Sequence, residues 1–266
     1  MQNPDPWDFH VQRKAMKILH LLTAIISIAL VTSCATPNAM KSKLSPKIKV
    51  ERFLQKAIAE EHFSGVIMVV REGEVILNQG YGMATEKDEN KPDTVIHVAS
   101  VTKQFTAAAI MLLNEAGKID LAVSINHYLP KKYQSDKWKS VTVHHLLSHT
   151  GGVSDYAEQR PYYDVRKGFC FGSTVDGMIH EAQAKDLEFV PGSEFRYSNI
   201  GYTLLGVIIE QVSGHPYGEF IKQELLIPAK MFLSGIHEES YRWKQGEAKG
   251  YRWDEGQQKF VEDDVI

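Results

Sequence analysis

The sequence predicts an α+β protein: a small antiparallel sheet flanked by helices, with a helical subdomain inserted. Three observations point there. Residues 65–82 carry two β-rich apolar runs around a short Gly-containing turn. Residues from about 100 to 226 then read almost wholly as helices and caps. After Met231 only weak strand candidates follow, so either the sheet is small or the chain stops before completing it. With 266 residues, 43% hydrophobic and 24% charged, the chain has enough apolar material for a core. The formal net charge is −3 and no basic stripe is present, which argues against nucleic acid as a partner.

The first 33 residues read as an export signal rather than as fold. Arg13, Lys14 and Lys17 precede an apolar run from Ile18 to Val31, too short to span a bilayer as a helix. Met16 makes a more usual start than Met1, so residues 1–15 read as a mis-assigned start. The run ends in Val31-Thr32-Ser33-Cys34, which resembles a bacterial lipobox with Cys34 as the lipidated residue. An ordinary signal peptide with a chance cysteine is the alternative. Lipidation implies an exported protein held to a bacterial membrane, facing the periplasm or cell surface. Residues 34–46 are polar and Pro-containing, a tether. Cys170, between Phe169 and Phe171, reads as a small apolar core residue.

The domain proper occupies residues 47–266. Ile48, Val50, Phe53, Leu54, Ala57 and Ile58 fall on one helical face. The hairpin's first run, Val66-Ile67-Met68-Val69-Val70, is unbroken in apolarity and predicts burial on both faces. A core helix is expected from near Ser100 to a stop at Gly117. Thr142 caps a short helix carrying Val143, Leu146 and Leu147 that ends at Gly151-Gly152, and another covers Val175 to Lys185. A further helix runs from about Ile200 to Val212 and stops at Gly214. Pro216 opens a last one through Leu226.

Ser100-Val101-Thr102-Lys103 carries the chemistry. Serine and lysine three apart share a helix face. At a helix start, free N–H groups and the positive dipole end favour the anion formed when a hydroxyl attacks a carbonyl. That field, with desolvation, is expected to lower a lysine pKa and make Lys103 a base. A helix cap and a surface lysine give the same letters. The second element is Tyr197-Ser198-Asn199: a tyrosine near a cation can pass protons, and Asn199 offers both donor and acceptor.

Three stretches then occur in order: His97-Val98-Ala99-Ser100-Val101-Thr102-Lys103-Gln104-Phe105-Thr106-Ala107, Val143-His144-His145-Leu146-Leu147-Ser148-His149-Thr150-Gly151-Gly152, and Pro191-Gly192-Ser193-Glu194-Phe195-Arg196-Tyr197-Ser198-Asn199. Together they resemble the class C β-lactamase/DD-peptidase/esterase family of serine hydrolases. The resemblance implies a β-lactamase/transpeptidase-like fold and an acyl-enzyme on Ser100. It also implies shared proton work by Lys103 and Tyr197, and substrate contact by Asn199. Expected substrates are a β-lactam, a D-Ala peptide of peptidoglycan type, or a small ester. No cofactor or metal is implied.

One departure stands out. The family's K-T-G or H-x-G motif on a late strand finds no counterpart after Asn199; Lys244-Gln245-Gly246 is a near match only, and His149-Thr150-Gly151 belongs to the middle loop. The expectation is therefore a domain incomplete at its C-terminus, with late sheet strands missing. The rival reading is a catalytically impaired homologue or a non-catalytic ligand-binding protein.

Other signals are weaker. Glu74-Val75-Ile76-Leu77-Asn78 spells E-x-x-L-N on a strand upstream of the serine, a chance match. His145 and His149 have a metal-pair spacing without a third ligand and read as structural or loop histidines. Tyr162, Tyr163, Trp138, Trp243 and Trp253 read as packing residues.

Overall fold

The structure is a computed structural model that describes residues 45–61, 63–155, 174–236, 247–254, 256–257 and 259–262. All belong to one compact unit spanning Ser45–Ile266. The export signal, Cys34 and most of the tether lie outside the described residues, as do Cys170, Tyr162, Tyr163, Trp243 and Lys244 to Gly246. No described helix is long and apolar enough to cross a membrane.

Helix α1 (Pro46–Glu61) leads into the hairpin β1 (Gly65–Arg71) and β2 (Glu74–Tyr81) and lies against β2. The strands are antiparallel from Gly65↔Tyr81 to Arg71↔Glu74, with a register shift between Val69 and Val70. The turn is made by Glu72 and Gly73, both in the left-handed region (φ 53° and 83°). Gly80 is forced by close approach: a Cβ there would meet the Asn90 carbonyl oxygen at 2.0 Å.

The expected two-sided burial of β1 is not what the fold delivers. Met68 and Val70 are exposed, whereas Ile67 and Val69 on the opposite face are half-buried. Among the described residues β1 pairs only with β2, so its other edge has no strand partner there, and the exposed Met68 and Val70 show one face to be uncovered. Likewise on α1, Val50, Leu54 and Ile58 are half-buried but Ile48 and Phe53 stay exposed. The weak strand candidates after Met231 prove to include a second hairpin, β3 (Tyr251–Asp254) with β4 (Lys259–Glu262). It forms its own two-stranded sheet, and the chain leading into it bonds back through Ala248 N–H to the Val95 carbonyl and Lys249 N–H to the Ala84 carbonyl.

The core lies in the helical part: α2 (Thr102–Glu115), α3 (Val143–Leu147), α4 (Val175–Ala184), α5 (Asn199–Ser213) and α6 (Tyr217–Ile221), the last continued by a π-helical turn over Lys222–Leu226. Helix α5 contributes Ile200, Leu204, Leu205, Ile208 and Ile209, all fully buried, and packs against α2, α3, α4 and α6. Each such side chain is worth roughly 1.5–3 kcal/mol of burial. Trp138 is buried among them, a packing residue as expected. Local signals set the helix ends. Thr142 and His145 form a reciprocal capping box on α3. Ser198 caps α5 by accepting from Gly201 N–H at 3.0 Å, and Gly214 ends that helix at φ 77°.

Candidate active site

The nucleophile candidate sits at a strained joint. Ala99 has φ 43°, costly for a residue with a Cβ, and opens a 3₁₀ turn, Ala99–Val101, that runs into α2. Ser100 is exposed within this turn. Its N–H belongs to the first turn, where no carbonyl of its own helix can reach it. Lys103 lies one turn on, its Nζ 3.4 Å from Ser100 Oγ, so the shared face expected from the spacing is realised.

The other half of the site comes from the start of α5. Tyr197 OH donates to Ser100 Oγ at 2.8 Å across 97 positions of sequence. Asn199, the first residue of α5, accepts from Lys103 Nζ through Oδ1 at 2.9 Å. The ammonium also lies 4.7 Å from the Tyr197 ring centroid and 5.5 Å from that of Tyr202. Of the expected site residues, the fold therefore brings Ser100, Lys103, Tyr197 and Asn199 together; Cys34 is outside the described residues.

The surroundings of Tyr197 act on its phenol in opposite directions. Burial pushes its phenol up, but hydrogen bonding with Lys103 and Ser100, plus the Lys103 charge, outweighs this and leaves the phenol below its ordinary value. Tyr202, with burial as its main influence, moves the other way. It is held structurally, donating its hydroxyl to the Leu147 carbonyl at 3.0 Å.

Two further residues belong to the site. His149, at φ 57°, stacks on Tyr197 (centroids 4.5 Å apart) and on Tyr202 (5.0 Å). Its Nδ1 accepts the Ser198 backbone N–H at 3.1 Å. A backbone N–H can only donate, so Nδ1 is unprotonated here. Burial, then the Lys103 charge, pulls the His149 pKa down, which suits a neutral ring. The His149 carbonyl accepts from Arg196 N–H at 2.8 Å, so one residue pins both sides of Tyr197. His145 likewise uses Nδ1, on the Thr142 N–H at 3.2 Å. The i, i+4 histidine pair is thus committed to backbone donors, the structural role expected of it. Asp155, buried at 7% exposure, accepts the backbone N–H groups of Asn199 and Ile200. Sequence reasoning did not single out Asp155; an aspartate after Gly151-Gly152-Val153-Ser154 reads as a turn residue.

Known proteins resemble the chain in sequence and in fold. A family model described as Beta-lactamase matches residues 50–263. Penicillin-binding protein 4* of Bacillus subtilis is 34% identical over 182 residues, which cover 67% of this chain and 39% of that protein. The octameric penicillin-binding protein homologue from Pyrococcus abyssi superposes with a TM-score of 0.65 at 32% identity, covering 80% of this chain and 49% of the other. EstCE1, a hydrolase with promiscuous acyltransferase activity, superposes with a TM-score of 0.65 at 26% identity, covering 81% and 59%. The chain thus spans well under two thirds of the length of these relatives.

Proposed function

Because the chain belongs to the beta-lactamase family, we propose that it is a serine hydrolase working through an acyl-enzyme on Ser100. The observation that carries this reading is the 2.8 Å contact of Tyr197 OH with Ser100 Oγ, with Lys103 Nζ beside both. Ionised, Tyr197 takes the Ser100 proton along that line as Oγ bonds to a substrate carbonyl carbon. Lys103 stabilises the phenolate by charge. The proton then passes from Tyr197 to the leaving nitrogen or oxygen, whose bond to carbon breaks, leaving an ester on Ser100. Water repeats the cycle: Tyr197 takes its proton, the ester breaks, and Ser100 Oγ regains the proton. Asn199 holds Lys103 through Oδ1 and keeps an amide hydrogen for a substrate carbonyl.

The acyl donors that fit this chemistry are a β-lactam, a D-Ala-type peptide or a small ester. The names of the relatives, penicillin-binding proteins and a promiscuous acyltransferase, support that range. Incubation with a fluorophosphonate or penicillin probe, followed by peptide mass mapping, is expected to place the adduct on Ser100 and to lose it in Ser100→Ala. An adduct elsewhere, or equal labelling of the variant, refutes the assignment.

The same reading includes export and lipidation at Cys34, supported by Val31-Thr32-Ser33-Cys34 after a short apolar run. Expressed in a bacterium, the protein is expected to fractionate with membranes, and Cys34→Ala to release or misprocess it. A soluble periplasmic wild type with an unmodified Cys34 overturns this part.

A further inference from the structure

The acyl-enzyme chemistry uses Ser100, Lys103, Tyr197 and Asn199, yet a buried carboxylate stands directly behind them without a part in it. Asp155 is 7% exposed. One of its oxygens accepts two backbone donors from the first turn of α5: Asn199 N–H and, at 3.2 Å, Ile200 N–H. Its other oxygen faces Asn199 Nδ2 at 3.5 Å. Helix α5 already has Ser198 as its N-cap, so capping does not exhaust what Asp155 does there.

The arrangement acts on the Asn199 amide, which has an oxygen end and a nitrogen end. Lys103 takes the oxygen end at 2.9 Å and Asp155 faces the nitrogen end. Rotating the amide by half a turn would set NH₂ against the ammonium and oxygen against the carboxylate, unfavourable on both sides. An anion behind the amide and a cation in front of it therefore select one orientation. That orientation places the ammonium beside Ser100. The buried Asp155 carboxylate and the half-buried Lys103 ammonium thus stand with opposite signs on the two ends of a single side chain.

We propose that Asp155 is a positioning residue for acyl transfer, locking the Asn199 amide and the first turn of α5 so that Lys103 is held beside Ser100. The proposal rests on the acyl-enzyme reading above. Among the described residues, the charged and titratable groups facing this point include Lys103 from α2, His149 from the loop after α3, and Tyr197 ahead of α5. The negative charge of Asp155 pushes both His149 and Tyr197 upward, against the stronger influences already described.

The test uses the full chain and the rate at which a fluorophosphonate labels Ser100, read by peptide mass across pH. Asp155→Ala is expected to slow labelling roughly 10- to 100-fold, the scale of a misplaced catalytic group. Because part of what Asp155 does passes through the Asn199 amide and part through the backbone N–H groups of Asn199 and Ile200, that loss should be clearly smaller in an Asn199→Ala background than in wild type. Asp155→Asn keeps the shape without the charge; it is expected to label faster than Asp155→Ala. Its acidic limb, set by ionisation of Tyr197, is expected at lower pH than in wild type. Equal losses from Asp155→Ala with and without Asn199 overturn the proposal, since they mark a purely structural role. So does an Asp155→Asn variant with the wild-type rate and an unmoved limb. If circular dichroism finds Asp155→Ala unfolded, the rate and limb of Asp155→Asn decide. A wild type that is not labelled at Ser100 is a different result: it removes the acyl-enzyme reading and the proposal with it.

Discussion

Replacing Tyr197 by phenylalanine removes one oxygen from the centre of the site and little else. The phenol oxygen lies 2.8 Å from Ser100 Oγ, inside the ~2.6–3.2 Å reach expected of a general base. General acid–base groups contribute about 10²–10⁴ in rate, or roughly 3–5 kcal/mol at 1.36 kcal/mol per tenfold. The ring itself stays in place, stacked 4.5 Å from His149 with Lys103 Nζ 4.7 Å from its centroid. Tyr197 is 45% exposed, so the lost hydroxyl should change stability by no more than about 0.5 kcal/mol. For a chain of this size that is a Tm change of about 1–2 °C. The expected outcome is therefore a separation: labelling of Ser100 by a fluorophosphonate falls by at least about a hundredfold while Tm barely moves. The assay is the second-order labelling rate at several pH values, paired with a melting curve on the same preparation. A Tyr197→Phe variant that labels within threefold of wild type would show that the proton leaves Ser100 by another route.

Two further outcomes follow from the loop that carries His149. Burial, then His144, lowers the pKa of His145, and burial, then Lys103, lowers that of His149. As pH falls through about 6.5 the unfolded chain takes up these protons first. Stability from both groups is complete above that pH and is lost progressively below it, down to the folded values. Tm should thus fall between pH 7.5 and 5.5, with a shallower slope in His149→Asn; parallel slopes would contradict this. Gly152 has φ 69°, and a Cβ there would lie 2.5 Å from the Phe189 carbonyl oxygen, so Gly152→Ala should cost on the order of 2–4 kcal/mol. Gly214 has φ 77° but nothing within 4 Å, so Gly214→Ala should cost only about 1–2 kcal/mol. Chemical denaturation of both variants checks the order, and a reversed order refutes the clash argument.

What could be read from the sequence was local chemistry and local endings. Helix α5 announces itself through the mostly apolar run from Ile200 to Ile209 and the stop at Gly214. Ser100, Lys103, Tyr197 and Asn199 were legible because their neighbours form linked motifs. Asp155 was not, because its meaning lies in a contact 44 positions away that no spacing rule encodes. The β1 run misled for a related reason: an apolar pattern says which side chains seek cover, not whether a neighbour supplies it. The β3–β4 hairpin was faint because its strands are only four residues long and half of those residues, Arg252, Asp254, Lys259 and Glu262, are charged.

Helix α5 is both the most buried element and the one that presents Asn199. Its amides from Leu204 to Ile209 are therefore expected to exchange with deuterium only when the helical core opens. Hairpin β1–β2, with Met68 and Val70 bare on one face, can part at far lower free energy. Breathing motions of the sheet thus leave the attachment of Asn199 undisturbed. The mooring of Asn199 is expected to be as durable as the cooperative unit that carries it.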